Sequence, residues 1–548
     1  MSNTPETLKE AGIIVGEATS NEFYFASEME SYPIRWEYLQ VNSREIIEGK
    51  VKDVRVLAQV ERIVSASQAL SKDEDLEALR RIRAAELHDV RTWGKARILG
   101  YLSGNVGDGS LRILLPRRAM MPGLPIYVAP ASMLREFYSF PEEDGLLIGS
   151  LITRPDVPVN ISASGFRRHV AIIAQTGAGK SYCAGVIIEE LLKKGATVIV
   201  IDPHADYVFL PMSRSDTRHS LSDRIAIFRN PSSTGRYRDR DIGGVKPYTI
   251  AFTELDVDEI CEIAGIKEGY TKIREAVRHA LERLRSQNRH YSPSDLLETL
   301  HEISRLEPVE DKKLKELREG AASAAKYVRN VNRLRVFGSS TTPSSSFLKP
   351  MHVSVVDLSG LEERSLDYVA SKILSETYDA VSTGKYEYPV FVFLEEAHKL
   401  IPAQGSTFSF MIVNKIAAEG RKFGLFLILI SQRPSKINSD SLSQCNSQII
   451  MKMTNPQDQE AIEASSEKMS RDLIQDLPGL NPGEAVVVGD ITKVPVMLQV
   501  RRRTTREGGA DIDVVEALRG AIHQTKVVGI VAKDLNTSIV EDGIRSKV

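Results

Sequence analysis

The spacing of apolar positions along this chain changes twice, near residue 149 and again near residue 255. From about Ala11 to Met133, apolar and polar residues alternate in short runs such as EFYFAS, VKDVRVLAQVERIV and KARILGYL. This period of two, with turn signals at Ser20-Asn21 and Gly107-Asp108-Gly109, is typical of an antiparallel barrel. One charged helical stretch, Ser71 to Leu87, interrupts it. We therefore predict an N-terminal β-barrel domain over residues 1–145.

After residue 149, short apolar runs alternate with helical patterns. The runs are Val170 to Ile173, Thr197 to Ile201, Thr249 to Phe252, Val353 to Val356, Val390 to Leu394, Leu425 to Ile430 and Ile449 to Met453. Such alternation predicts an α/β domain with a parallel sheet and ligands at its carboxyl edge. Two further strands are expected after Gly483, and the domain is predicted in two parts, residues 146–254 and 339–500.

The block between these two parts, residues 255–338, has helical spacing throughout. Apolar residues recur on one face from Tyr270 to Leu284, and Ser292-Pro293-Ser294-Asp295 predicts the capped start of a second helix. A third helix is expected from Lys312 to Val336, and SSTTPSSS after it is predicted to be a flexible linker. The pattern leaves open whether this inserted bundle is a lid, a partner surface or a DNA-facing wall.

Residues 501–548 form a C-terminal extension with little core of its own. It begins with Arg501-Arg502-Arg503 and contains a predicted helix from about Asp511 to Gln524. Such a segment is either disordered or strapped to something, for instance a neighbouring subunit.

Composition limits the kind of protein. The chain has 548 residues, with 71 Lys and Arg against 73 Asp and Glu, so any contact with nucleic acid is expected to be local, such as a pore lining. Its three cysteines are widely spaced, which argues against disulfides and structural zinc. The N-terminus has no leader pattern, and the most lipophilic stretch, Phe423 to Ile430, is too short to span a membrane. We expect a cytoplasmic protein without a membrane segment.

The segment AQTGAGKS, Ala174 to Ser181, has the residues of a phosphate-binding loop. It lies between an apolar strand and an amphipathic helix, Tyr182 to Lys194, which is the context that a P-loop requires. Its glycines let successive N–H groups face an anion, Lys180 brings charge to the β and γ phosphates, and Ser181 is placed for Mg²⁺. The predicted ATP-binding residues are Gln175, Thr176, Gly177, Ala178, Gly179, Lys180, Ser181 and Tyr182.

A second apolar run, Pro389 to Leu394, ends in two carboxylates, Glu395 and Glu396. A buried parallel strand that ends in this way brings both acids to the ligand edge. We predict a Walker B pair, in which Glu395 reaches the magnesium ion and Glu396 orients or deprotonates the attacking water. Together, the two motifs predict an ATP-hydrolysing enzyme.

Several other polar residues near strand ends have two interpretations. Arg421 is either an arginine finger for a neighbouring subunit or a charge that neutralises a helix C-terminus. Gln432 is either a sensor that distinguishes ATP from ADP or a turn residue. Asp202 either aligns the metal shell or caps the turn that follows it. Arg167 and Arg168 either contact a neighbour's nucleotide or are solvated.

The order of a β-barrel, RHVAIIAQTGAGKS, VIDPHADY, FVFLEEAH, EGRKFG, SQRP and LNPGEAVV resembles the HerA family of DNA translocases, which is related to FtsK. The resemblance covers nearly the whole chain, and EEAH followed by GRKFG and SQRP is its most specific part. It implies an N-terminal HAS barrel, a RecA-like P-loop motor with a helical insertion, and a C-terminal brace that lies on the adjacent subunit.

The resemblance also implies a function. It implies a homohexamer that binds ATP and Mg²⁺ at subunit interfaces and moves double-stranded DNA through a central pore. It further implies a NurA-type nuclease on the barrel side, and a role in DNA end resection for homologous recombination alongside the Mre-eleven and Rad-fifty proteins. Residue by residue, Lys180 and Ser181 become ligands of nucleotide and magnesium, and Glu396 the catalytic carboxylate. Arg421 becomes an arginine finger acting in trans, and Arg168 joins the same interface.

Two alternatives are weighed against this function. A membrane-anchored DNA pump of the FtsK or conjugation type needs a transmembrane segment, which the sequence pattern does not contain. A scaffold that uses ATP only to hold a ring together and recruit a nuclease needs no hydrolytic carboxylate, whereas Glu396 and Arg421 are both present.

Overall fold

The computed structural model describes residues 8–47, 49–85, 89–104, 112–287, 290–307, 311–466, 468–509, 514–516 and 518–520. Residues 514–516 and 518–520 are helical. The rest of the helix predicted from Asp511 to Gln524, the tail after it and the turn predicted at Gly107-Asp108-Gly109 lie outside the described residues.

In the described part of the N-terminal region, six antiparallel strands close into a barrel. The strands are β1 (Glu10–Ala18), β2 (Glu22–Ser27), β3 (Tyr38–Ile47), β4 (Lys50–Ala66), β5 (Arg91–Ser103) and β7 (Pro125–Val128), with β6 (Arg112–Leu114) added beside β5. They are ordered β2-β1-β7-β3-β4-β5, and β5 pairs back with β2. Alternate apolar residues such as Phe23, Phe25 and Val41 fill the interior. The predicted barrel is confirmed.

Two helices, α1 (Leu76–Ala84) and α2 (Ala131–Tyr138), accompany the barrel. Every side chain of α1 is at least partly exposed, in agreement with the solvated helix predicted from Ser71 to Leu87. The helix begins later than predicted because the Asp75 carboxylate caps it, accepting the Ala78 N–H at 2.8 Å. Helix α2 buries Phe137 and Tyr138 in the core of the following domain.

A twelve-stranded sheet organises the rest of the described chain. Its strands are β8 (Gly145–Leu151), β9 (Pro158–Ser162), β10 (Val170–Ile173), β11 (Thr197–Asp202), β12 (Ile225–Arg229), β13 (Lys246–Pro247), β16 (Val353–Asp357), β17 (Val390–Leu394), β18 (Leu425–Ser431), β19 (Ser447–Met451), β20 (Glu484–Val488) and β21 (Val496–Val500). They are ordered β13-β12-β16-β11-β17-β18-β10-β19-β20-β21-β8-β9. Strands β13 to β19 in this order are parallel, as predicted, whereas β20, β21, β8 and β9 extend the sheet antiparallel.

Both faces of the parallel part are buried. In β11, Ile199 and Ile201 join one hydrophobic cluster, and Val198 and Val200 join the other. The first cluster lies under α9 (Glu363–Ser382) and the second under α3 (Lys180–Lys193). Burial on both faces explains why these strands appear in the sequence as continuous apolar runs.

The helical insertion packs as an extension of the core. Its described helices are α5 (Val257–Ala264), α6 (Thr271–Ser286), α7 (Pro293–Ser304) and α8 (Lys312–Arg333). Their apolar residues continue the cluster that contacts α9. The predicted start of α7 is confirmed, since Ser292 and Asp295 form a capping box. Strands β14 (Ile250–Ala251) and β15 (Phe337–Gly338) pair where the chain enters and leaves the insertion.

Two predictions were wrong, and one strand of the main sheet was not predicted. The run Thr249 to Phe252 does not join the main sheet, because β14 pairs with β15 instead. Strand β12 was not predicted, since its apolar run is short and ends in Arg229. The segment 339–346 is not a loose linker, because it is hydrogen-bonded to β14 and the residue before it. The Ala251 N–H donates to Thr341 Oγ1 at 2.8 Å, and the Thr342 N–H donates to the Thr249 carbonyl at 2.9 Å.

The remaining described helices connect strands. They are α4 (Asp239–Ile242), α10 (Ala397–Leu400), α11 (Phe408–Glu419), α12 (Ser439–Ser443), α13 (Pro456–Ser465) and α14 (Arg471–Asp476). Among the described residues, none of the helices has both the length and the apolar character needed to cross a bilayer.

Candidate nucleotide-binding site

The P-loop joins β10 to α3 at the carboxyl edge of the parallel strands. Gly177 and Gly179 have φ angles of 78° and 104°, which residues with side chains rarely adopt. A Cβ on Gly177 would meet no atom within 4 Å, so the space above the loop is open. Gln175 N–H donates to the Lys452 carbonyl at 3.0 Å and ties the loop to the end of β19. Because the first N–H groups of a helix have no partner inside it, the loop and α3 present a row of donors to an anion.

Lys180 contacts both predicted Walker B carboxylates. Its Nζ donates to Oε1 of Glu395 and lies 3.1 Å from Oε1 of Glu396. The side chains are 13 %, 0 % and 4 % exposed, respectively. Burial lowers the pKa of Lys180, but the two carboxylates outweigh it and the net direction is upward, so the lysine stays charged. Burial raises the pKa of Glu395 although Lys180 opposes it.

Ser181 lies between Glu395 and a further acid, Asp206. Its Oγ donates to Oδ2 of Asp206 at 2.8 Å and lies 3.2 Å from Oε1 of Glu395. The Tyr207 hydroxyl donates to Oε2 of Glu395 at 2.8 Å. Asp206 and Tyr207 were not among the predicted site residues. Their signal is the run DPHADY, in which polar residues follow directly on a buried strand.

Asp202 caps the turn after β11. Its carboxylate accepts the N–H groups of His204, Asp206 and Tyr207 at 3.3, 3.0 and 2.9 Å. Burial and two neighbouring carboxylates raise its pKa. Of the two roles considered for Asp202, the cap is observed, whereas its predicted place in the metal shell stays a prediction. The acid that reaches Ser181 is Asp206.

Glu396 has a strained backbone and one unsatisfied oxygen. Its φ angle of 51° is in the left-handed region, which costs a residue with a side chain about 1–2 kcal/mol. Its Oε2 forms no hydrogen bond with any described residue, although Nδ1 of His398 approaches within 3.2 Å. Burial lowers the pKa of His398, which favours the neutral imidazole. A buried carboxylate oxygen left free at the ligand edge is the group required to accept a proton from water.

Gln432 contacts the P-loop directly. It follows the last residue of β18, and its Oε1 accepts a hydrogen bond from Oγ1 of Thr176. On the other side of the loop, Oε1 of Gln175 accepts a hydrogen bond from Oγ1 of Thr454 at 3.0 Å. A residue bonded to the loop can respond to what the loop holds, so the contact supports the sensor interpretation of Gln432.

Tyr182 packs against Arg503, whose guanidinium carbon lies 5.9 Å from the centre of the tyrosine ring. Its hydroxyl accepts the backbone N–H of Arg503 at 2.8 Å and is therefore engaged with the C-terminal extension. Its predicted contact with a nucleotide stays a prediction.

Arg421 and Arg168 lie at the edge of the sheet opposite to the P-loop. Arg421 precedes β18 and Arg168 precedes β10, whereas the P-loop follows β10, which is parallel to β18. Strand β18 has seven residues, so the two edges are about 20 Å apart at about 3.3 Å per residue. This is farther than an arginine side chain extends. Arg421 is exposed, and Nε of Arg168 lies 3.6 Å from Oδ2 of Asp490.

The residues present fit a nucleoside triphosphate and a magnesium ion. The loop provides donors and open space, and Lys180 provides a buried positive charge. Mg²⁺ usually takes one or two protein oxygens together with phosphate oxygens and water, and Ser181 and Glu395 are such oxygens. Among the described residues, no group of three or more His, Cys, Asp or Glu side chains could hold a metal ion. The donor set therefore suits an ion that binds together with phosphates.

Comparison with known proteins gives this site a family. Residues 146–377 match the family model for the central domain of the helicase HerA. A DNA double-strand break repair helicase HerA from Pyrococcus furiosus is 28 % identical, over 92 % of this chain and 96 % of that protein. The chain is a HerA-type protein. A probable helicase from Methanocaldococcus jannaschii is 29 % identical to the HerA-type chain, over 92 % of it and 93 % of the relative. Among solved structures, VirB4 of Thermoanaerobacter pseudethanolicus is 15 % identical, with a TM-score of 0.45, over 66 % of this chain and 98 % of that one.

The family model covers only part of the site in this HerA-type chain. Residues 146–377 include the P-loop, Ser181, Asp206 and the whole insertion. The carboxylates after β17, together with Arg421 and Gln432, lie beyond residue 377, in the range over which the two HerA and helicase relatives align. The predicted family, fold class and ATP-hydrolysing activity are confirmed, and the HerA-type chain is a P-loop ATPase.

Proposed function

We propose that this HerA-type ATPase forms a homohexameric ring that moves double-stranded DNA through its centre. ATP and Mg²⁺ then bind between neighbouring subunits. The observation that carries the proposal is the separation of Arg421 from its own P-loop by about 20 Å, the length of β18. A P-loop ATPase needs a positive charge at the γ-phosphate for fast hydrolysis, and here that charge has to come from a neighbour.

Within the site, the residues of one chain bind and polarise the nucleotide. When bound, Mg²⁺ supplies charge that offsets the phosphates. Lys180 would exchange Glu396 for the phosphates, and Ser181 and Glu395 would hold the ion, with Asp206 bonded to Ser181. Glu396 then orients water and takes its proton through Oε2, the oxygen that has no hydrogen-bond partner in the described part of the chain. Gln432 senses whether the P-loop holds ATP or ADP through its hydrogen bond with Thr176.

The finer parts of the function rest on the family. The Pyrococcus furiosus relative is named for the repair of DNA double-strand breaks, which supports DNA as the substrate. We extend the proposal to a NurA-type nuclease on the barrel side and to end resection for homologous recombination with the Mre-eleven and Rad-fifty proteins, in the cytoplasm. We assign the barrel to residues 1–145, the two parts of the ATPase domain to residues 146–254 and 339–500, the helical insertion to residues 255–338 and the C-terminal extension to residues 501–548.

The test combines particle mass with movement on DNA. Mass photometry with ATP, Mg²⁺ and duplex DNA should give the mass of six chains. The same protein should displace a third strand from a triplex-containing duplex in an ATP-dependent reaction, and Lys180→Ala should fail to do so. A particle that stays monomeric under all conditions refutes the ring. A ring that binds DNA and never displaces the third strand supports the scaffold instead.

A further inference from the structure

The start of the C-terminal extension, residues 501–509, lies on its own chain. We call this segment the strap. Nη1 of Arg501 lies 2.9 Å from Oε2 of Glu189, and its Nη2 lies 2.8 Å from Oε1 of Glu190. Both acids belong to α3, the helix that begins with the P-loop lysine. Thr505 donates its N–H and its Oγ1 to Oε1 of Glu189 at 2.8 and 2.7 Å. The strap therefore follows the P-loop helix and binds its buried acids.

Arg503 fixes the middle of the strap to the same helix. Arg503 is 2 % exposed, and its side chain lies against Gly185, where a Cβ would overlap with the guanidinium group. Its backbone N–H donates to the Tyr182 hydroxyl at 2.8 Å, and its Nε and Nη2 donate to Oγ1 of Thr505. An arginine buried to this extent against a glycine requires the strap and α3 to stay in contact.

The far end of the strap lies on the loop that carries Asp206. Gly508 N–H donates to the Asp206 carbonyl at 3.1 Å, and the Tyr237 hydroxyl donates to the Gly508 carbonyl. A Cβ on Gly508 would overlap with the Ala205 carbonyl, and a Cβ on Gly509 would overlap with Oδ1 of the Asp206 side chain. Neither glycine has a left-handed φ, so only the space beside it restricts the residue: backbone blocks a Cβ at Gly508, whereas at Gly509 a Cβ would displace the Asp206 side chain.

Arg506 holds the strap in place next to this contact. Its guanidinium carbon lies 4.3 Å from the centre of the Phe209 ring, and Nη1 lies 2.8 Å from Oδ1 of Asp216. Its N–H donates to the Met212 carbonyl at 2.9 Å. The strap thus joins the P-loop helix to the Asp206 loop, which are the two elements that meet at Ser181.

We propose that the strap is a positioning element for this chain's own nucleotide site. Gly509 packs on Oδ1 of Asp206 and thereby directs Oδ2 to the Ser181 hydroxyl. The inference rests on the proposed role of Ser181 in holding Mg²⁺. It makes Gly509 a positioning residue that acts through Asp206, and it gives residues 501–509 a function within the subunit, in addition to any brace that later residues form on a neighbour.

The test measures how binding of a fluorescent ATP analogue by the full chain depends on Mg²⁺, without DNA. Gly509→Ala should push the Asp206 carboxylate aside and raise the Mg²⁺ concentration at half-maximal binding by about tenfold, the size expected for one hydrogen bond to a charged group. Gly520→Ala is the matched control, because its Cβ would meet no atom within 4 Å, and its binding curve should match that of the wild type. In an Asp206→Asn background, Gly509→Ala should add no further shift.

Two results would overturn the proposal. One is a Gly509→Ala protein that melts earlier but keeps the Mg²⁺ dependence of the wild type, which would make the strap purely structural. The other is a full second shift in the Asp206→Asn background, because independent effects multiply. Arg506→Ala, which loosens the strap without a clash, should shift the Mg²⁺ dependence in the same direction. Nucleotide binding by the wild type that does not depend on Mg²⁺ would contradict the proposed role of Ser181. It would also contradict the strap proposal, which depends on that role.

Discussion

Replacing Glu396 with Gln should separate nucleotide binding from hydrolysis. In the structure, Oε1 of Glu396 lies 3.1 Å from Nζ of Lys180, and both side chains are largely buried. A triphosphate has to compete with this carboxylate for the lysine. Hydrogen bonds to charged groups contribute about 1.5–3 kcal/mol and neutral ones about 0.5–1.5 kcal/mol. The neutral amide should therefore hold Lys180 less tightly than the carboxylate does, and ATP binding should become more favourable by about 1–1.5 kcal/mol. This corresponds to ATP binding about tenfold tighter than in the wild type.

The same substitution removes the proton acceptor. Hydrolysis should therefore fall by about 10²–10⁴-fold, the usual contribution of a general base. Titration calorimetry with ATP and a phosphate-release assay measure the two effects on one preparation. Glu282→Gln, on the exposed face of α6, is the matched control and should change neither. Weaker ATP binding by Glu396→Gln would refute the competition for Lys180, and hydrolysis at the wild-type rate would remove Glu396 from the mechanism.

Three further predictions concern the interface, the core and pH. Subunits carrying Arg421→Ala, mixed with subunits carrying Glu396→Gln, should recover ATPase activity that neither has alone; no recovery at any ratio counts against a finger in trans. Arg229→Met should lower the free energy of unfolding by about 3–5 kcal/mol in urea titrations, because it leaves the fully buried Asp357 without its 2.7 Å bond to Nε; a loss of less than about 1 kcal/mol would contradict this. Burial raises the pKa of Glu376 from an ordinary value of 4.5 to about 7. The folded state thus holds this proton more tightly, and its stabilising effect is complete below pH 4.5 and lost as the pH rises through 7. The melting temperature of Glu376→Gln should therefore rise relative to that of the wild type across this pH range. A difference in melting temperature that is the same at every pH would refute this prediction.

The two ATP motifs could be predicted because each is local. The P-loop is a contiguous run with a strand before it and a helix after it, and the carboxylates end an apolar strand that is buried on both faces. The geometry of such turns depends on the glycines and the strand direction, both of which the sequence contains. The capping box of α7 was predicted for the same reason, since Ser292 and Asp295 are three residues apart.

The surroundings of Ser181 could not be predicted in the same way. The run DPHADY offers two carboxylates, and spacing alone does not decide which one turns towards the loop. The structure decides it through the backbone: the N–H groups after β11 need an acceptor, and Asp202 provides it, which leaves Asp206 free to reach Ser181.

The antiparallel extension of the sheet and the strap depend on contacts between distant parts of the chain. Strands β8 and β9 precede the P-loop, yet they pair next to β21 at the far end of the domain. Likewise, Arg503 meets Tyr182 across 321 positions of sequence. Apolar periodicity predicted β20 and β21 but not β8 and β9, and it carries no information about which partner a strand chooses.

The two edges of the parallel sheet also constrain how subunits can assemble. In the proposed ring, each subunit offers Arg421 at its amino edge and accepts a neighbour's arginine at its carboxyl edge, so the proposed contacts are head to tail. An open arc built in this way always has one fewer complete site than it has subunits, since its last P-loop meets no partner. Closure creates the missing site without adding a chain. The specific activity per subunit should therefore rise at the step in which the ring shuts.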